Sequence, residues 1–298
     1  MRTVLVRFSS LGDVVLCGAV TASLGEVCFV TSARYAGLVA RFEGVQEVVA
    51  LQPGEGVGAL RARVPWGGPV VDLHGSLRSR ALCLGRGAAR LDRQDMARRT
   101  RVAFKRPAQI PPLVDRYATA AGVAVAARPW IRLERRDPQA LGLVVGAAHA
   151  AKRWPEARWI ALASGWDGPK VVFGGPDEAE VVQRVAAAIG AEPVAEQGFA
   201  RTLDALARCR VVVGGDTGLL HLAAACGVPV VGLFGPTTSA DGFWCHPGEA
   251  VEVPLPCRPC SRHGARPCPI GDHLCMEGLT VERVRSALSG YAAAGTGP

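Results

Sequence analysis

The sequence predicts an α/β protein of two Rossmann-like domains, each built on a parallel sheet. Three observations lead there. The chain has 298 residues, more than one ordinary α/β domain needs and enough for two cores. Short strand-like runs alternate with helical stretches along its length. Those runs end in Gly-rich sequence, the punctuation of strand–turn–helix units. A composition of 49% hydrophobic and 20% charged residues excludes disorder for all but the ends.

In order, Thr3 to Phe8 reads as a buried strand, Ser9-Ser10-Leu11-Gly12-Asp13 as a small-residue turn, and a helix is expected from near Val14. Val27 to Val30, Val45 to Leu51 and Pro69 to Leu73 are further strands of a first domain, over residues 1–136. The charged, proline-bounded Glu134-Arg135-Arg136-Asp137-Pro138 marks the crossing. Leu141 to Val145, Lys170 to Phe173, Val211 to Val213 and Val228 to Leu233 are strands of a second domain, over residues 137–291. Its helices are expected near 155–164, 177–189, 219–226 and 280–287, with a frayed tail from Ala292. Parallel sheets bind ligands at the carboxyl ends of their strands, so the two sheets are expected to face a central cleft that holds the site.

No apolar run reaches the roughly 18 to 20 residues that span a bilayer, and Met1-Arg2 leads straight into a strand without a signal-peptide core. A cytoplasmic protein is expected. The formal charge is +8, and Leu77 to Arg106 alone carries ten Lys or Arg against two Asp, so the basicity reads as a patch. Phe104 is the only aromatic within it, which removes the stacking platforms of single-strand binders and with them nucleic acid as partner. An anionic lipid or glycolipid at the inner membrane face fits the patch, as does a merely solvated helix face. A nicotinamide enzyme is disfavoured, because no GxGxxG follows the first strand.

The chemistry concentrates where Val211-Val212-Val213 runs into Gly214-Gly215-Asp216-Thr217-Gly218 and a helix carrying His221. A helix N-terminus offers unpaired N–H groups and about half a positive charge, and glycine lets the backbone approach a phosphate. The plainer reading is that Asp216 caps the helix and His221 is a core residue. A second strand, Val228 to Leu233, ends in Gly235-Pro236-Thr237-Thr238, and two adjacent turns of this kind make a pocket.

Gly215 to Thr238 resembles the donor-binding signature of glycosyltransferase family 9, the heptosyltransferases of lipopolysaccharide core assembly. Ser9 to Val14 is similar to the family's N-terminal loop, Val71-Asp72-Leu73-His74-Gly75-Ser76 to its third strand, Lys152-Arg153-Trp154-Pro155 to its basic motif and Gly174 to Glu178 to a further turn. The resemblance implies a GT-B fold and inverting transfer of a heptose or similar sugar, without a catalytic cofactor, from a nucleotide diphosphate such as ADP to a lipid-linked saccharide. It implies Asp13 as the base that deprotonates the acceptor hydroxyl and Lys152 as the charge that stabilises the leaving diphosphate. Ser10, Gly12, Lys152, Arg153, Asp216, Thr217, Gly218, His221 and Thr237 are the implied donor contacts. Asp13 alternatively caps the following helix, and Lys152 is alternatively an ordinary exposed lysine. Ala147-Ala148-His149-Ala150-Ala151 stands where the family carries small hydroxyl residues, so some phosphate hydrogen bonds are expected to be absent or replaced by backbone N–H groups. A GT-B-like transferase with another donor and a soluble or protein acceptor, or a non-catalytic nucleotide-binding protein, are the competing readings.

Of ten cysteines, Cys17, Cys28, Cys83, Cys209 and Cys226 lie in apolar sequence as small core residues, and Cys245 is ambiguous. Cys257, Cys260, Cys268 and Cys275 form a CxxC with two further cysteines in a Pro/Gly-rich loop, over 257–275. That spacing suits a structural tetrathiolate zinc; an iron–sulfur cluster, transient disulfides and free thiols share it. Four thiolates close the shell, so the metal carries no catalytic role.

Overall fold

Aliphatic and β-branched residues crowd the first strand, β1 (Thr3–Val6), and all four of them are buried. A strand covered on both faces belongs inside a parallel sheet. In the computed structural model, which describes residues 1–105, 110–135, 137–195, 198–242, 244, 246 and 248–292, β1 lies at the centre of five parallel strands. The others are β2 (Val27–Ser32), β3 (Val45–Leu51), β4 (Val70–Asp72) and β5 (Ala89–Arg90), in the order β3-β2-β1-β4-β5. The chain winds outward from β1 to β3 and then returns to β4 on the far side of β1. The topological switch therefore falls between β1 and β4, whose carboxyl ends carry Ser9 to Asp13 and Leu73 to Ser76.

The second sheet has six parallel strands, β6 (Ala140–Val144), β7 (Lys170–Phe173), β8 (Glu192–Val194), β9 (Cys209–Gly215), β10 (Val230–Phe234) and β11 (Gly248–Glu252). Their order is β11-β10-β9-β6-β7-β8. Here the switch lies between β6 and β9, so the loops reaching Lys152 and Gly215 to Gly218 emerge side by side. β6 and β10 are buried at every residue.

The two sheets belong to two units. One comprises Met1–Arg93, Pro111–Arg132 and Ala225–Gly227; the other comprises Gln94–Ile110, Leu133–Ala224 and Val228–Pro298. The basic segment is thus divided. Leu77 to Arg93 stays with the first sheet, whereas the helix Asp95–Phe104 packs in the second unit. There Arg101 pairs with Asp241 at 2.8 Å and Arg98 donates to the Arg262 carbonyl at 3.1 Å. The basic segment is therefore not one continuous patch, because Arg98 and Arg101 are engaged by the Arg262 carbonyl and the Asp241 carboxylate. Arg106 lies outside the described residues.

The expected central strands are present, while β5, β8 and β11 had no signal. Each sits at or beside a sheet edge, where one covered face suffices; β5 is exposed, β8 contains Pro193 and β11 carries two glutamates. The first helix begins at Leu11 rather than near Val14, with Ser10 extended as its N-cap. The last, Val281–Ala292, runs past its expected end, and its Val284, Ala287 and Leu288 join Leu141, Leu162 and Trp166 in the second core. Cys17, Cys28, Cys83, Cys209 and Cys226 are buried as expected. Cys245, Arg136 and residues 293–298 of the tail lie outside the described residues. Among those described, no helix is long and apolar enough to cross a membrane.

Candidate functional site

In the first unit the switch between β1 and β4 presents Asp13. It occupies the third position of the helix Leu11–Leu16, not the N-cap, yet its carboxylate still caps: Oδ2 accepts from the Ser10 N–H at 3.0 Å and the Ser10 hydroxyl at 2.7 Å. The same oxygen meets Arg7 Nη2 at 2.7 Å. These contacts all fall on Oδ2. Burial acts to raise the Asp13 carboxyl, but Arg7 and then the Ser10 donors hold it below the ordinary carboxylate range. Arg7 is itself buried, donating from Nη1 to the Leu73 carbonyl at 2.5 Å, and the Tyr117 hydroxyl donates to the Asp13 carbonyl at 3.3 Å. His74, at the end of β4, stacks edge-on against Phe8 at 5.3 Å. Burial and the Arg7 charge push its imidazole down to about 4, so it is neutral near pH 7.

In the second unit the carboxyl ends of β6, β9 and β10 converge. Lys152 ends a single 3₁₀ turn, Ala150–Lys152, and its Nζ lies 2.7 Å from Asp216 Oδ2 and 3.1 Å from the Asp216 carbonyl. Thr237 donates its hydroxyl to the same carboxylate oxygen at 3.1 Å. His221, on the helix Gly218–Ala225, places Nε2 3.6 Å from Asp216 Oδ1. Burial opposes ionisation of Asp216, yet the Lys152 ammonium and then His221 hold it ionised far below the usual range. The three loops nest because two of their residues lack side chains. A Cβ on Gly215 would lie 3.2 Å from the Lys152 carbonyl oxygen, and one on Gly235 would lie 3.3 Å from that of Ala151.

Lys152, Asp216, His221 and Thr237 therefore form one cluster, as their pattern implied. The Thr217 hydroxyl is buried and has no hydrogen-bond partner among the described residues. Arg153 is turned to the Ala147 carbonyl at 3.0 Å, where it braces the hydroxyl-poor loop. Ser10 spends both its donors on Asp13 rather than presenting them.

Four residues escaped sequence reasoning. Arg7 carried a signal, a lone charge ending an apolar strand. Glu178 accepts from the Gly175 N–H at 2.6 Å and fills the space a Cβ on Gly146 would need, and only its place in the Gly174 to Glu178 turn hinted at it. His246 had none: its Nε2 lies 2.6 Å from His221 Nδ1 across 25 positions, so one of the two nitrogens must carry the shared proton. Arg258 was concealed within the CxxC.

The four loop thiols act on one another electrostatically. Burial and then Cys257 push Cys260 up; burial raises Cys275, against which Arg258 acts, and Cys260, Cys268 and Cys257 add to the rise. Cys268 is lowered, chiefly by the Ile270 N–H with those of His273 and Gly271. Among the described residues, however, no three or more His, Cys, Asp or Glu form a group that holds a metal. The expected four-thiolate shell is not formed: Cys260 donates to the Pro236 carbonyl at 3.8 Å and Cys268 faces its own loop's amides.

Sequence and structure comparisons carry this geometry further. The sequence model of glycosyltransferase family 9 (heptosyltransferase) matches residues 71–266. The lipopolysaccharide heptosyltransferase 1 of Pseudomonas aeruginosa is 36% identical over 138 residues, covering 43% of this chain and 39% of that protein. The chain thus spans well under two thirds of the length of that curated relative. By fold, it superposes on Escherichia coli heptosyltransferase WaaC, solved with ADP-2-deoxy-2-fluoro heptose, with TM-score 0.68, 20% identity and coverage of 98% of this chain and 100% of that one. It also resembles the iron-containing dodecameric glycosyltransferase TibC of enterotoxigenic Escherichia coli, with TM-score 0.63, 15% identity and coverage of 99% and 77%.

Proposed function

This chain belongs to glycosyltransferase family 9, and from that premise we propose that it is an inverting transferase moving a heptose or similar sugar from an ADP-linked donor to a lipopolysaccharide-core or other lipid-linked saccharide. The observation that carries the reading is the cluster of Lys152, Asp216, His221 and Thr237 where β6, β9 and β10 end. Lys152 answers the charge that grows on the departing diphosphate, and the helix Gly218–Ala225 directs its N-terminal N–H groups at the same place. Thr217 adds an unspent hydroxyl. Asp216 fixes Lys152 before the donor arrives, so little reorganisation is left for the transition state.

Asp13 is the base. A single displacement at the anomeric carbon inverts it, and the acceptor hydroxyl must lose its proton as the new C–O bond forms. Oδ1 of Asp13 takes that proton while Arg7 and Ser10 hold Oδ2. Gly12, in the same helical turn, is assigned to the donor with Ser10 as the residue that orients Asp13.

A structural zinc or iron–sulfur cluster on the four cysteines would require their thiols to be drawn together from the positions they hold in the loop. Their thiols share one loop, and the N–H groups facing Cys268 favour its thiolate form, the form a metal binds. Bound there, the metal would fix the loop and take no part in transfer. The enzyme works peripherally at the inner face of the cytoplasmic membrane.

Two measurements test the reading. Thermal shift with ADP, GDP and UDP should show selective stabilisation by ADP, and stabilisation by none of the three defeats the donor assignment. Asp13→Ala should lower kcat by about 10² to 10⁴-fold; transfer at the wild-type rate removes Asp13 from the chemistry.

A further inference from the structure

The cysteine-rich loop touches both sides of the phosphate cluster. Gly264, at φ +81°, lies against the Lys152 stem, where a Cβ would sit 2.8 Å from Cε, 2.9 Å from Cγ and 3.2 Å from Cδ. Such an atom displaces the lysine from its root, since Cγ as well as the tip must move. The turn that presents Gly264 is fixed by the buried Ser261 hydroxyl, which accepts from the Gly264 N–H at 2.9 Å.

On the other side Arg258, its side chain 5% exposed, holds the Gly235 to Thr237 turn by its carbonyls. Nε donates to Gly235 at 2.5 Å, while Nη2 donates to Thr237 at 2.7 Å and Phe234 at 3.1 Å. Glu252 balances the charge at 2.8 Å. The Cys260 N–H adds a bond to the Pro236 carbonyl at 3.1 Å. A loop that only stapled itself would need none of these contacts.

We propose that the loop over 257–275 is a positioning element for the donor diphosphate, setting the reach of Lys152 through Gly264 and the shape of the Gly235 to Thr237 turn through Arg258. It rests on the donor reading given above and extends it to the cysteine-rich loop. Gly264 and Arg258 touch no substrate; they act through Lys152 and through backbone carbonyls.

The test is a double-mutant cycle read by calorimetric binding of ADP, with melting temperature followed alongside. Gly264→Ala is expected to weaken ADP by about ten- to a hundredfold, the scale of one charge-assisted hydrogen bond. Lys152→Ala should weaken it comparably. In the Lys152→Ala background most of the Gly264→Ala penalty should vanish, because the stem it displaces is gone and only the backbone strain at φ +81° is left. A Gly264→Ala protein that binds ADP like wild type overturns the proposal. So does a penalty that persists undiminished without the lysine, which would mark general damage to the fold. If wild type binds no nucleoside diphosphate, the donor reading fails first and takes this one with it; if wild type binds and only Lys152→Ala loses affinity, the loop proposal alone falls.

Discussion

Arg7 shows how one side chain sets the chemistry of another. Its guanidinium sits 2.7 Å from Asp13 Oδ2, in a place where burial alone would push that carboxyl up. Arg7→Met leaves Asp13 with the Ser10 donors and the burial, so the acid limb of kcat/KM should move to higher pH. A limb that stays in place would mean that Ser10 suffices. The second buried carboxylate yields a stability prediction. Asp216 is depressed in the folded protein, so its stabilisation is complete above the unfolded carboxyl's value of about 3.9 and drains away as the pH falls further toward the lower folded value. Urea-unfolding free energies of wild type should therefore drop faster below about pH 4 than those of Asp216→Asn. Parallel curves would contradict the paired state of Asp216.

Among the strands, β6 shows most directly why the second sheet packs as it does. Gly142 lies at its centre, where an added Cβ would meet Val212 Cγ2 at 2.8 Å, Cys209 Sγ at 3.1 Å and Phe173 Cε2 at 3.1 Å. Gly142→Ala forces apart β7 and β9, and about 1–3 kcal/mol of destabilisation is expected in urea melts. A loss below a few tenths would mean that the neighbouring side chains give way freely. The central strands and the Asp216 turn were legible in the sequence because buried parallel strands are continuous apolar runs and their ends are glycine-rich. β8 and β11 were not, since an edge strand needs only half such a pattern. Arg258 and His246 were illegible for a different reason: the Gly235 to Thr237 turn that Arg258 holds and the His221 that meets His246 lie 21 to 25 positions away, and no local periodicity records a contact made by folding.

Across the whole molecule, the formal charge of +8 is less a patch than its clustering in sequence suggests. Arg98 and Arg101 are engaged within the second unit, and what remains exposed on the first is concentrated on the helix Leu77–Leu82 and the turn after it. Leu77, 88% exposed, opens that helix and Leu84, 72% exposed, lies in the turn after it, with exposed Ala81 between them in sequence. Arg78, Arg80 and Arg86 are exposed along the same segment, and no acidic residue occurs between Leu73 and Leu91. Apolar side chains bordered by arginines suit the boundary between headgroups and acyl chains of an anionic leaflet, which is where a lipid-linked acceptor presents its sugar. The protein should therefore cosediment with vesicles containing phosphatidylglycerol at low salt and separate from them as ionic strength rises. Replacing Arg78, Arg80 and Arg86 by Gln should weaken that partition by about fivefold each. Leu77→Ser with Leu84→Ser should weaken it while leaving its salt dependence intact, because insertion and attraction are separate contributions. Equal binding to neutral phosphatidylcholine vesicles, or none to either, would detach this segment from the membrane and leave the acceptor to be met in solution.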